Sequence, residues 1–277
     1  MSLTSFLGTD SPSRLHGGHQ ALVFEAADES GRRCVAKLRD MAGVDRTTLN
    51  MRMEAIASLA RVDPRVCSPL MRASEHVTDV QVEDTTMFGT LVEYAQGGRL
   101  NHDDAHDARV MGTELAKLHE SLSTLPHFDL PLVPALSAAN FDAAGEALQL
   151  LHGDFSDQNL RNHDGTIRIF DFDDCGYGPR EFDVANSLYM VLFDDMTTAN
   201  TAIYFQFENE FLDGYNSESD RAPLSADTLS SFVDLRVGAL EAWLDDPGSA
   251  PAGIRTASPE WHRTLRQFVE NYWARGE

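Results

Sequence analysis

The stretch HGDFSDQN at residues 152–159, followed by IRIFDFDD at residues 167–174, determines how this chain is interpreted. In the first stretch, Asp154 and Asn159 stand five positions apart, directly after an apolar, strand-like segment. In the second, Asp171 follows another apolar run, twelve positions after Asn159. Both stretches therefore present oxygen-bearing side chains where a predicted strand ends.

The turn Asn-His-Asp-Gly at residues 162–165 predicts a hairpin that brings Asn159 and Asp171 side by side. Phosphoryl transfer requires a carboxylate that orients the attacking hydroxyl and accepts its proton, for which Asp154 is the candidate. It also requires oxygen ligands for Mg²⁺, for which Asn159 and Asp171 are the candidates. An isolated Asp-x4-Asn pair is weak evidence, because the same pair occurs as a helix cap or an Asx turn on a surface loop.

The order of the preceding features strengthens this interpretation. A glycine turn with Gly17 and Gly18 comes before a strand, where backbone N–H groups can cover phosphates, and Lys37 follows on the paired strand. The chain has 20 Arg and two Lys, so a lysine kept inside an apolar strand favours a compact positive charge there. Glu54, on the first helix, is placed to hold Lys37 by an ion pair. The alternatives are a lysine that snorkels from a strand edge and a glutamate on a solvated helix face.

Periodicity divides the chain into a strand-rich first part and a helical second part, with the dipeptide Gly97-Gly98 at the boundary. We predict an α+β fold with a β-rich N-terminal lobe at residues 1–95 and a larger helical C-terminal lobe at residues 96–277. The predicted strands of the first lobe are 21–26, 33–38, 77–82 and 88–93, and its helix is centred on 53–60. The apolar helical stripes of the second lobe start at Met111, Ile203, Leu229 and Trp261.

Composition restricts the partners and the location. A net charge of −22 argues against a nucleic-acid or anionic-membrane partner, because phosphate neutralisation needs basic patches. No apolar run approaches the ~18 residues that a membrane span requires. Three distant cysteines and an N-terminus without a secretory pattern predict buried free thiols and a cytoplasmic protein. The oligomeric state is predicted no further than monomer or homodimer.

Several motifs resemble the aminoglycoside phosphotransferase and choline kinase superfamily. They are HGDFSDQN at residues 152–159, IFDFDDCGYGPREFDVA at residues 169–185, LVEYAQGG at residues 91–98 and LAKLH at residues 115–119. The Asp-Phe-Asp-Asp stretch is also similar to bacterial stress-response kinases and homoserine-kinase-like members. The resemblance implies a two-lobed, protein-kinase-like fold that uses ATP or GTP with Mg²⁺.

The resemblance also implies a role for individual residues. Asp154 would be the catalytic base, Asn159 and Asp171 the Mg²⁺ ligands, and Lys37 the phosphate-binding lysine with Glu54 as its partner. His152 and Asp183 would fix the loop that presents Asp154. The nucleotide base would hydrogen-bond to the main chain of Glu93 and Ala95. Val23 and Ala36 would pack over its face.

Departures from the protein-kinase pattern indicate a small-molecule enzyme. Gly153 stands where those kinases carry the arginine that grips a phosphorylated loop, and Asp173 replaces the glycine of Asp-Phe-Gly. Twelve positions separate Asp171 from Asp183, too few for a long activation segment. We therefore expect a cleft open to a small molecule and no regulation by loop phosphorylation.

The acceptor is predicted to be a hydroxyl on a small cationic molecule such as an aminoglycoside or a related antibiotic. Acidic residues after the metal strand can pair with its ammonium groups, although each of them can equally belong to a solvated acidic face. These candidates are Asp173, Asp174, Asp194, Asp195, Glu241, Asp245 and Asp246. The alternatives are a kinase of a metabolite (homoserine, choline or a sugar), a stress-response-type Ser/Thr protein kinase and a nucleotide-binding pseudokinase.

Overall fold

A computed structural model describes residues 1–9, 12–15, 21–41, 44–198 and 202–276. Within this part of the chain, an antiparallel sheet comes first and a helical region with two short strand pairs follows. The order agrees with the predicted α+β class. None of the helices described is long and apolar enough to cross a membrane. The three cysteines are buried and free, as predicted.

Strands dominate before residue 94 and helices after residue 104. The helices are α1 (Leu3–Leu7), α2 (Arg46–Val62), α3 (Ala105–Ser123), α4 (Pro134–Ala138), α5 (Arg180–Thr198), α6 (Ala202–Glu218), α7 (Ala226–Asp245), α8 (Ala252–Arg255) and α9 (Pro259–Trp273). The strands are β1 (Ser13–Arg14), β2 (Leu22–Ala27), β3 (Arg33–Asp40), β4 (Pro69–Leu70), β5 (Thr78–Val82), β6 (Thr85–Glu93), β7 (Gln149–Leu151), β8 (Leu160–His163), β9 (Thr166–Ile169) and β10 (Gly176–Gly178).

The N-terminal sheet places Lys37 on its middle strand. The strand order is β1-β2-β3-β6-β4, and β5 also pairs with β6. The predicted hairpin is present as β2 and β3, with Val23 opposite Lys37, and Thr90 of β6 lies opposite Lys37 on the other side. A side chain on a middle strand has neighbours on both sides, which explains why Lys37 is buried.

One face of this sheet is covered by α1, a helix that the sequence analysis did not predict. Phe6 and Leu7 of α1 form an apolar cluster with Ala36 and Leu38 of β3. Successive side chains on a strand point to opposite faces, so Lys37 points to the face that α1 leaves open. That face is the wall of a cleft towards the helical region.

The helical region is built around a close crossing of α3 and α6. A Cβ atom on Gly112 of α3 would lie 1.9 Å from the carbonyl oxygen of Phe211, and a Cβ atom on Gly214 of α6 would lie 2.1 Å from the carbonyl oxygen of Arg109. The two backbones therefore touch at this crossing, which only glycine at both positions permits. His119 of α3 and Tyr215 of α6 are hydrogen-bonded at 2.8 Å beside it.

Gly112→Ala is expected to lower the free energy of unfolding by about 1–3 kcal/mol, because the new methyl group must push two packed helices apart. Gly238→Ala is the matched control. Gly238 also lies inside a helix, but a Cβ atom there would meet nothing within 4 Å. Alanine should stabilise that helix by roughly 0.5–1 kcal/mol. Thermal melts of both variants test the crossing, and two equal shifts would contradict it.

α5 lies beneath both the catalytic loop and the other helices. It buries residues on every side, among them the polar residues Arg180, Asp183, Asn186, Ser187 and Asp195. A helix that is buried all round has no polar stripe to reveal its period. This explains why the sequence analysis did not single out α5.

The linker between the two parts is fixed to the β8–β9 hairpin. The N–H of Gly98 donates to the carbonyl oxygen of Asn162 at 3.0 Å, and the N–H of Asn162 donates to the carbonyl oxygen of Gly98 at 2.8 Å. Gly97 has a φ of +112°, and a Cβ atom there would lie 2.3 Å from the same Asn162 oxygen. The lobe boundary that we propose at residues 95 and 96 falls directly before this contact.

Candidate active site

Asp154 lies in the loop that follows β7, against the segment that follows β9. Gly153, just before it, has a φ of +84°, and a Cβ atom there would lie 2.3 Å from the carbonyl oxygen of Asp174. A side chain at position 153 is therefore excluded both by backbone conformation and by contact. The glycine lets the two segments touch, which places Asp154 beside residues 171–174.

Asp183, in the first turn of α5, holds this loop. Its Oδ2 accepts from the N–H of His152 at 2.8 Å and from His119 Nε2 at 3.2 Å, and its Oδ1 accepts from the N–H of Gly153 at 2.9 Å. Burial alone would raise the pKa of Asp183, but the hydrogen bond and charge of His119 and the other donors lower it. The contacts agree with the scaffold role predicted for Asp183.

His152 ties the loop to the end of β9. Its Nε2 lies 3.1 Å from the carbonyl oxygen of Phe170, so Nε2 carries the proton and donates it. Its Nδ1 accepts from the N–H of Asp154 at 3.2 Å. Complete burial lowers the pKa of His152 and keeps the ring neutral, as this pair of bonds requires.

Asn159, at the end of a short 3₁₀ turn (Asp157–Asn159), is bonded to Asp154. Its Nδ2 donates to the Asp154 carbonyl oxygen at 2.8 Å and to Asp154 Oδ2 at 3.0 Å. Because the nitrogen end of the amide faces Asp154, Oδ1 is turned to the other side. The amide therefore positions the carboxylate of Asp154 and still offers an oxygen to a cation.

The predicted hairpin is present as β8 and β9, which pair with Leu160 opposite Ile169. The N–H of Phe170 donates to the carbonyl oxygen of Asn159 at 3.1 Å, so Asp171 follows directly after the residue bonded to Asn159. Asp171 has a φ of +67°, a left-handed conformation that few residues other than glycine adopt. Its Oδ1 accepts from Lys37 Nζ at 2.6 Å.

Lys37 joins the N-terminal sheet to the segment that carries Asp171. Its Nζ also lies 3.1 Å from Asp173 Oδ2, and Arg39 Nη2 lies 2.6 Å from Asp173 Oδ1. Burial alone would lower the pKa of Lys37, but the charges of Asp171 and Asp173 raise it. Burial alone would raise the pKa of Asp173, but Arg39 and Lys37 hold it far below its usual range. Asp173 is thus engaged within the protein, and its prediction as an acceptor-binding residue is corrected.

The structure does not form the predicted ion pair between Lys37 and Glu54. Glu54 is exposed on α2, and among the described residues no hydrogen bond or ion pair reaches its carboxylate. The residue of α2 that touches the site is Arg52, whose Nε donates to the carbonyl oxygen of Cys175 at 3.0 Å. Two positions along a helix turn a side chain by about 200°, so Arg52 and Glu54 face opposite ways.

Lys37→Arg is expected to lower kcat/KM by roughly 10²-fold, the cost of about 1 Å of misplacement in an active site. A planar guanidinium is wider than the ammonium group that now lies between Asp171 and Asp173. Lys117→Arg is the control, because Lys117 is the other lysine of the chain and its side chain is 40% exposed. Steady-state release of ADP measures both variants. Equal activity in the two would contradict a requirement for lysine at position 37.

The carboxyl group of Asp154 is hard to ionise in the ligand-free protein. Burial, followed by the charges of Asp174 and Asp171, raises the pKa of Asp154 to about 8. The opposing contributions come from Arg236 and from the Asn159 hydrogen bond. A general base is most effective when its pKa lies near the working pH, and the raised pKa of Asp154 lies near neutral pH.

Asp154→Asn is expected to stabilise the protein without metal or nucleotide, and increasingly so as the pH rises. The folded-state pKa of Asp154 lies above the unfolded value of about 4, so ionisation destabilises the native state between about pH 4 and pH 8. An amide cannot ionise and avoids this loss. We expect no gain at pH 4 and, above pH 8, a melting temperature higher by at least about 2–4 °C, because a pKa raised from 3.8 to about 8 corresponds to roughly 5 kcal/mol when the group is fully ionised. A gain that is independent of pH would contradict the assignment.

The donor set of the site fits the predicted Mg²⁺ ligands. Asn159 offers Oδ1, and the carboxylate of Asp171 is 28% exposed beside it. Within the described ranges, no group of three or more His, Cys, Asp or Glu residues is arranged to hold a metal. Two protein oxygens suffice for a Mg²⁺ whose other ligands are phosphates and water.

The predicted base-binding residues are only partly supported by the geometry. Val23 lies opposite Lys37 and therefore on the cleft face. Ala36 is buried against Phe6 and Leu7 on the other face, so its prediction is corrected, and Val35 occupies the cleft face in its place. Gly17 and Gly18 lie outside the described residues.

The linker positions the two main-chain groups predicted for the base. The N–H of Glu93 already donates to the carbonyl oxygen of Ser68 at 3.0 Å, and its carboxylate accepts from Arg168 at 2.8 Å. A base would therefore use the carbonyl oxygen of Glu93 rather than its N–H. Ala95 is partly exposed in the same linker, and its role stays a prediction.

Most of the predicted acceptor-binding carboxylates have structural partners. Asp195 is buried and accepts from the N–H of Tyr204 at 2.6 Å near the start of α6. Glu241 accepts from Trp273 Nε1 at 3.2 Å, and Asp245 pairs with Arg266 at 3.3 Å. The three carboxylates contact neighbouring helices in the ligand-free protein, and their binding to an acceptor stays a prediction. Asp194 lies 3.9 Å from His102 Nε2, and Asp174 influences Asp154 directly.

A charged group of α7 near Asp154 was not predicted from the sequence. Arg236 of α7 donates from Nε to Asn186 Oδ1 at 2.8 Å and stacks over the ring of Tyr189 at 4.2 Å. Its charge lowers the pKa of Asp154. A lone arginine in a helical stripe carries no sequence signal for such a position, whereas a motif reveals Asp154.

Comparison with known proteins bears on both the fold and the family. A computed match with an aminopropanol kinase has a TM-score of 0.71 at 19% identity and covers 94% of this chain and 89% of that one. An amicoumacin kinase solved with AMP-PNP and Ca²⁺ has a TM-score of 0.70 at 20% identity, and the match covers 94% of this chain and 86% of that one. A choline kinase from Cryptosporidium parvum has a TM-score of 0.62 at 12% identity, and the match covers 95% of this chain and 88% of that one. These likenesses confirm the predicted two-lobed, kinase-like fold.

Family membership comes from the sequence. No curated protein matches the chain. The sequence model of the phosphotransferase enzyme family, however, matches residues 13–218, which include the sheet, the catalytic loop and the metal-strand motif. This confirms the predicted resemblance and the predicted enzyme class, a phosphotransferase that acts on hydroxyl groups. The chain belongs to the phosphotransferase enzyme family.

Proposed function

We propose that this chain uses ATP or GTP with Mg²⁺ to phosphorylate a hydroxyl group on a small cationic molecule, such as an aminoglycoside, a related antibiotic or an amino alcohol. One observation carries the proposal. Asn159 is bonded to Asp154 at 3.0 Å and, through its carbonyl oxygen, to the N–H of Phe170, and Lys37 is bonded to Asp171 at 2.6 Å, so both parts of the chain supply one connected set of polar groups.

Asp154 is the proposed base. Its Oδ2 is held by Asn159 Nδ2, and its backbone N–H is held by His152, so the carboxylate has a fixed direction. It orients the acceptor hydroxyl and takes the hydroxyl proton as the oxygen attacks the γ-phosphate. The raised pKa makes the carboxylate of Asp154 a stronger base once it is ionised.

Lys37 is the proposed phosphate-binding cation. In the ligand-free protein its ammonium group is shared by Asp171 and Asp173. Asp173 retains Arg39 as a second partner, so Lys37 can turn towards a phosphate without leaving Asp173 unpaired. Asn159 Oδ1 and Asp171 would hold a Mg²⁺ ion, which would supply neutralisation of the developing phosphate charge.

A cationic acceptor is supported by the carboxylates around the base. Asp174 lies near enough to Asp154 for its charge to raise the pKa of Asp154. A positive group of the acceptor placed here would offset the repulsion between the two carboxylates. The amicoumacin and aminopropanol kinases among the solved relatives act on small molecules, which supports the same acceptor size.

A screen of hydroxylated acceptors tests the proposal. Aminoglycosides, amino alcohols, choline and neutral sugars are incubated with the protein, Mg²⁺ and either ATP or GTP, and ADP or GDP release is measured. We expect turnover with at least one amine-bearing acceptor and none with the neutral sugars. Turnover restricted to neutral sugars would contradict the cationic acceptor. A radiolabelled protein band from a cell lysate would favour a protein substrate.

A further inference from the structure

The helical lobe contributes a positive charge beside the Asp154 loop that phosphate binding at Lys37 does not explain. Arg236 lies on α7, in the helical lobe, whereas Lys37 lies on β3, in the sheet. It contacts α5 at Asn186, three residues after Asp183, which holds the catalytic loop. Ser187, next to Asn186, donates to the carbonyl oxygen of Phe155 at 2.8 Å, so Arg236 lies on the α5–α7 side of the loop that carries Asp154.

Two donors in this place lack acceptors. Arg236 Nη1 and Asn186 Nδ2 are both buried and have no hydrogen-bond partner in the described part of the chain. Asn186 Oδ1 is used by Arg236 Nε, which turns Nδ2 away from the guanidinium group. Asn186 as a whole is 1% exposed. Buried donors in native proteins are nearly always satisfied, so these two are expected to meet an acceptor that the described chain does not supply.

The charge of Arg236 also lacks a protein counterion. The chain has 44 acidic residues, and many of its arginines form ion pairs, yet no described carboxylate lies within 4.0 Å of the Arg236 guanidinium. The stack on Tyr189 fixes the plane of the guanidinium group without neutralising it. A planar, donor-only cation next to a donor amide selects an anionic oxygen pair, as in a carboxylate.

The geometry favours the acceptor, rather than the nucleotide, as the source of that anion. The nucleotide phosphates are assigned to Lys37, Asn159 and Asp171, on the sheet side of Asp154. The attacking hydroxyl must approach from the opposite side, because attack and departure are roughly in line. α5 and α7 form that opposite side. A group bonded to Arg236 would thus belong to the molecule that carries the hydroxyl.

We propose that Arg236 and Asn186 form a subsite for a carboxylate on the acceptor, so that the preferred acceptor is a hydroxyl compound with both an amine and a carboxylate. This rests on the proposed function and narrows its acceptor class. A polycationic acceptor without an acidic group would leave Arg236 facing another positive charge.

Matched acceptor pairs test the subsite. L-homoserine and 3-aminopropan-1-ol differ by one carboxylate, as do L-serine and ethanolamine. Binding of each is measured by calorimetry with AMP-PNP and Mg²⁺ present. We expect the carboxylate member of at least one pair to bind roughly 10–100-fold more tightly than its partner, the range for a hydrogen bond to a charged group. Equal binding within both pairs, including no binding at all, would overturn the proposal.

Variants assign the effect to the side chain. Arg236→Met should remove the preference, Arg236→Lys should retain part of it, and Arg263→Met should leave it unchanged. Arg263 is exposed and serves as the matched loss of one charge. A preference that survives in Arg236→Met would contradict the subsite, provided that circular dichroism shows a folded variant. If Arg236→Met weakens the binding of AMP-PNP as much as that of the carboxylate acceptor, the guanidinium contacts the nucleotide instead, and the proposal is wrong.

The outcome is independent of turnover. Binding preferences can be present when no ADP is released, in which case the proposed function fails and the subsite stands. ADP release without a carboxylate preference would support the proposed function and overturn the subsite.

Discussion

Asp154→Asn is expected to lower kcat by roughly 10²–10⁴-fold, the range for loss of a general base. The amide keeps the shape of the side chain and can still accept from Asn159 Nδ2, but it cannot take the proton of an acceptor hydroxyl. Lys37, Asn159 and Asp171 are untouched, so the affinity for AMP-PNP should stay unchanged within the error of a titration. Single-turnover phosphate transfer, measured with an acceptor from the screen, gives kcat without interference from product release.

Asp164→Asn is the matched control for this variant. Asp164 lies in the turn between β8 and β9, its side chain is 94% exposed, and its φ of +51° suits asparagine. Asp164→Asn changes the same functional group in the neighbouring β8–β9 hairpin without touching the site. A kcat for Asp154→Asn within about tenfold of the parent would show that Asp154 is not the base.

Asp183→Ala should have the largest effect on stability. It leaves three donors without an acceptor: the N–H groups of His152 and Gly153, and His119 Nε2. Loss of one partner from a buried, charged network costs about 3–5 kcal/mol, or a fall in melting temperature of roughly 6–20 °C in a chain of this size. The catalytic loop should also lose its position, so kcat should fall even at temperatures where the variant is folded.

Two further variants make the result specific. Asp183→Asn keeps one acceptor oxygen, that of the amide, and should lower the free energy of unfolding less than Asp183→Ala does. Asp220→Ala removes an exposed aspartate and should change stability by no more than about 0.5 kcal/mol. If Asp183→Ala melts at the same temperature as Asp220→Ala, Asp183 does not support the loop. Denaturant midpoints provide a second measure of the same differences.

The parts of the site that the sequence predicts are those set by short spacings. The turn at residues 162–165 leaves the β8–β9 hairpin little choice of register, and Asn159 and the residue before Asp171 are indeed bonded. The β2–β3 hairpin was predicted for the same reason. A hairpin is local, so its pairing depends on a few residues and their turn.

The errors concern which face of an element a residue occupies. Ala36 was predicted on the cleft face, but strands alternate, and Lys37 points to the cleft. Glu54 was predicted to reach Lys37, but Arg52 faces the site instead. In both cases the element was right and the rotation of its side chains was wrong. Packing partners such as Phe6 determine that rotation, and α1 was not predicted.

Acidic residues could not be sorted by sequence alone. Asp173 and Asp174 are neighbours in the chain, yet Asp173 pairs with Lys37 and Arg39 while Asp174 raises the pKa of Asp154. Asp194 and Asp195 differ in the same way, since Asp195 is buried against Tyr204. Adjacent side chains diverge in direction, so the function of each depends on contacts with distant segments such as β3 and α6.

The double hydrogen bond between Gly98 and Asn162 fixes the β8–β9 hairpin, which lies between the proposed metal ligands Asn159 and Asp171, to the linker. Residues 65–67, which precede β4 of the sheet, are bonded to the same hairpin: the N–H of Cys67 donates to the carbonyl oxygen of Ile169, and the N–H of Ile169 donates to that of Arg65, each at 2.9 Å. The hairpin is thus fastened both to the linker and to the segment that leads into β4. A nucleotide base held at Ala95, as predicted, would therefore rest against a linker whose position the hairpin already sets.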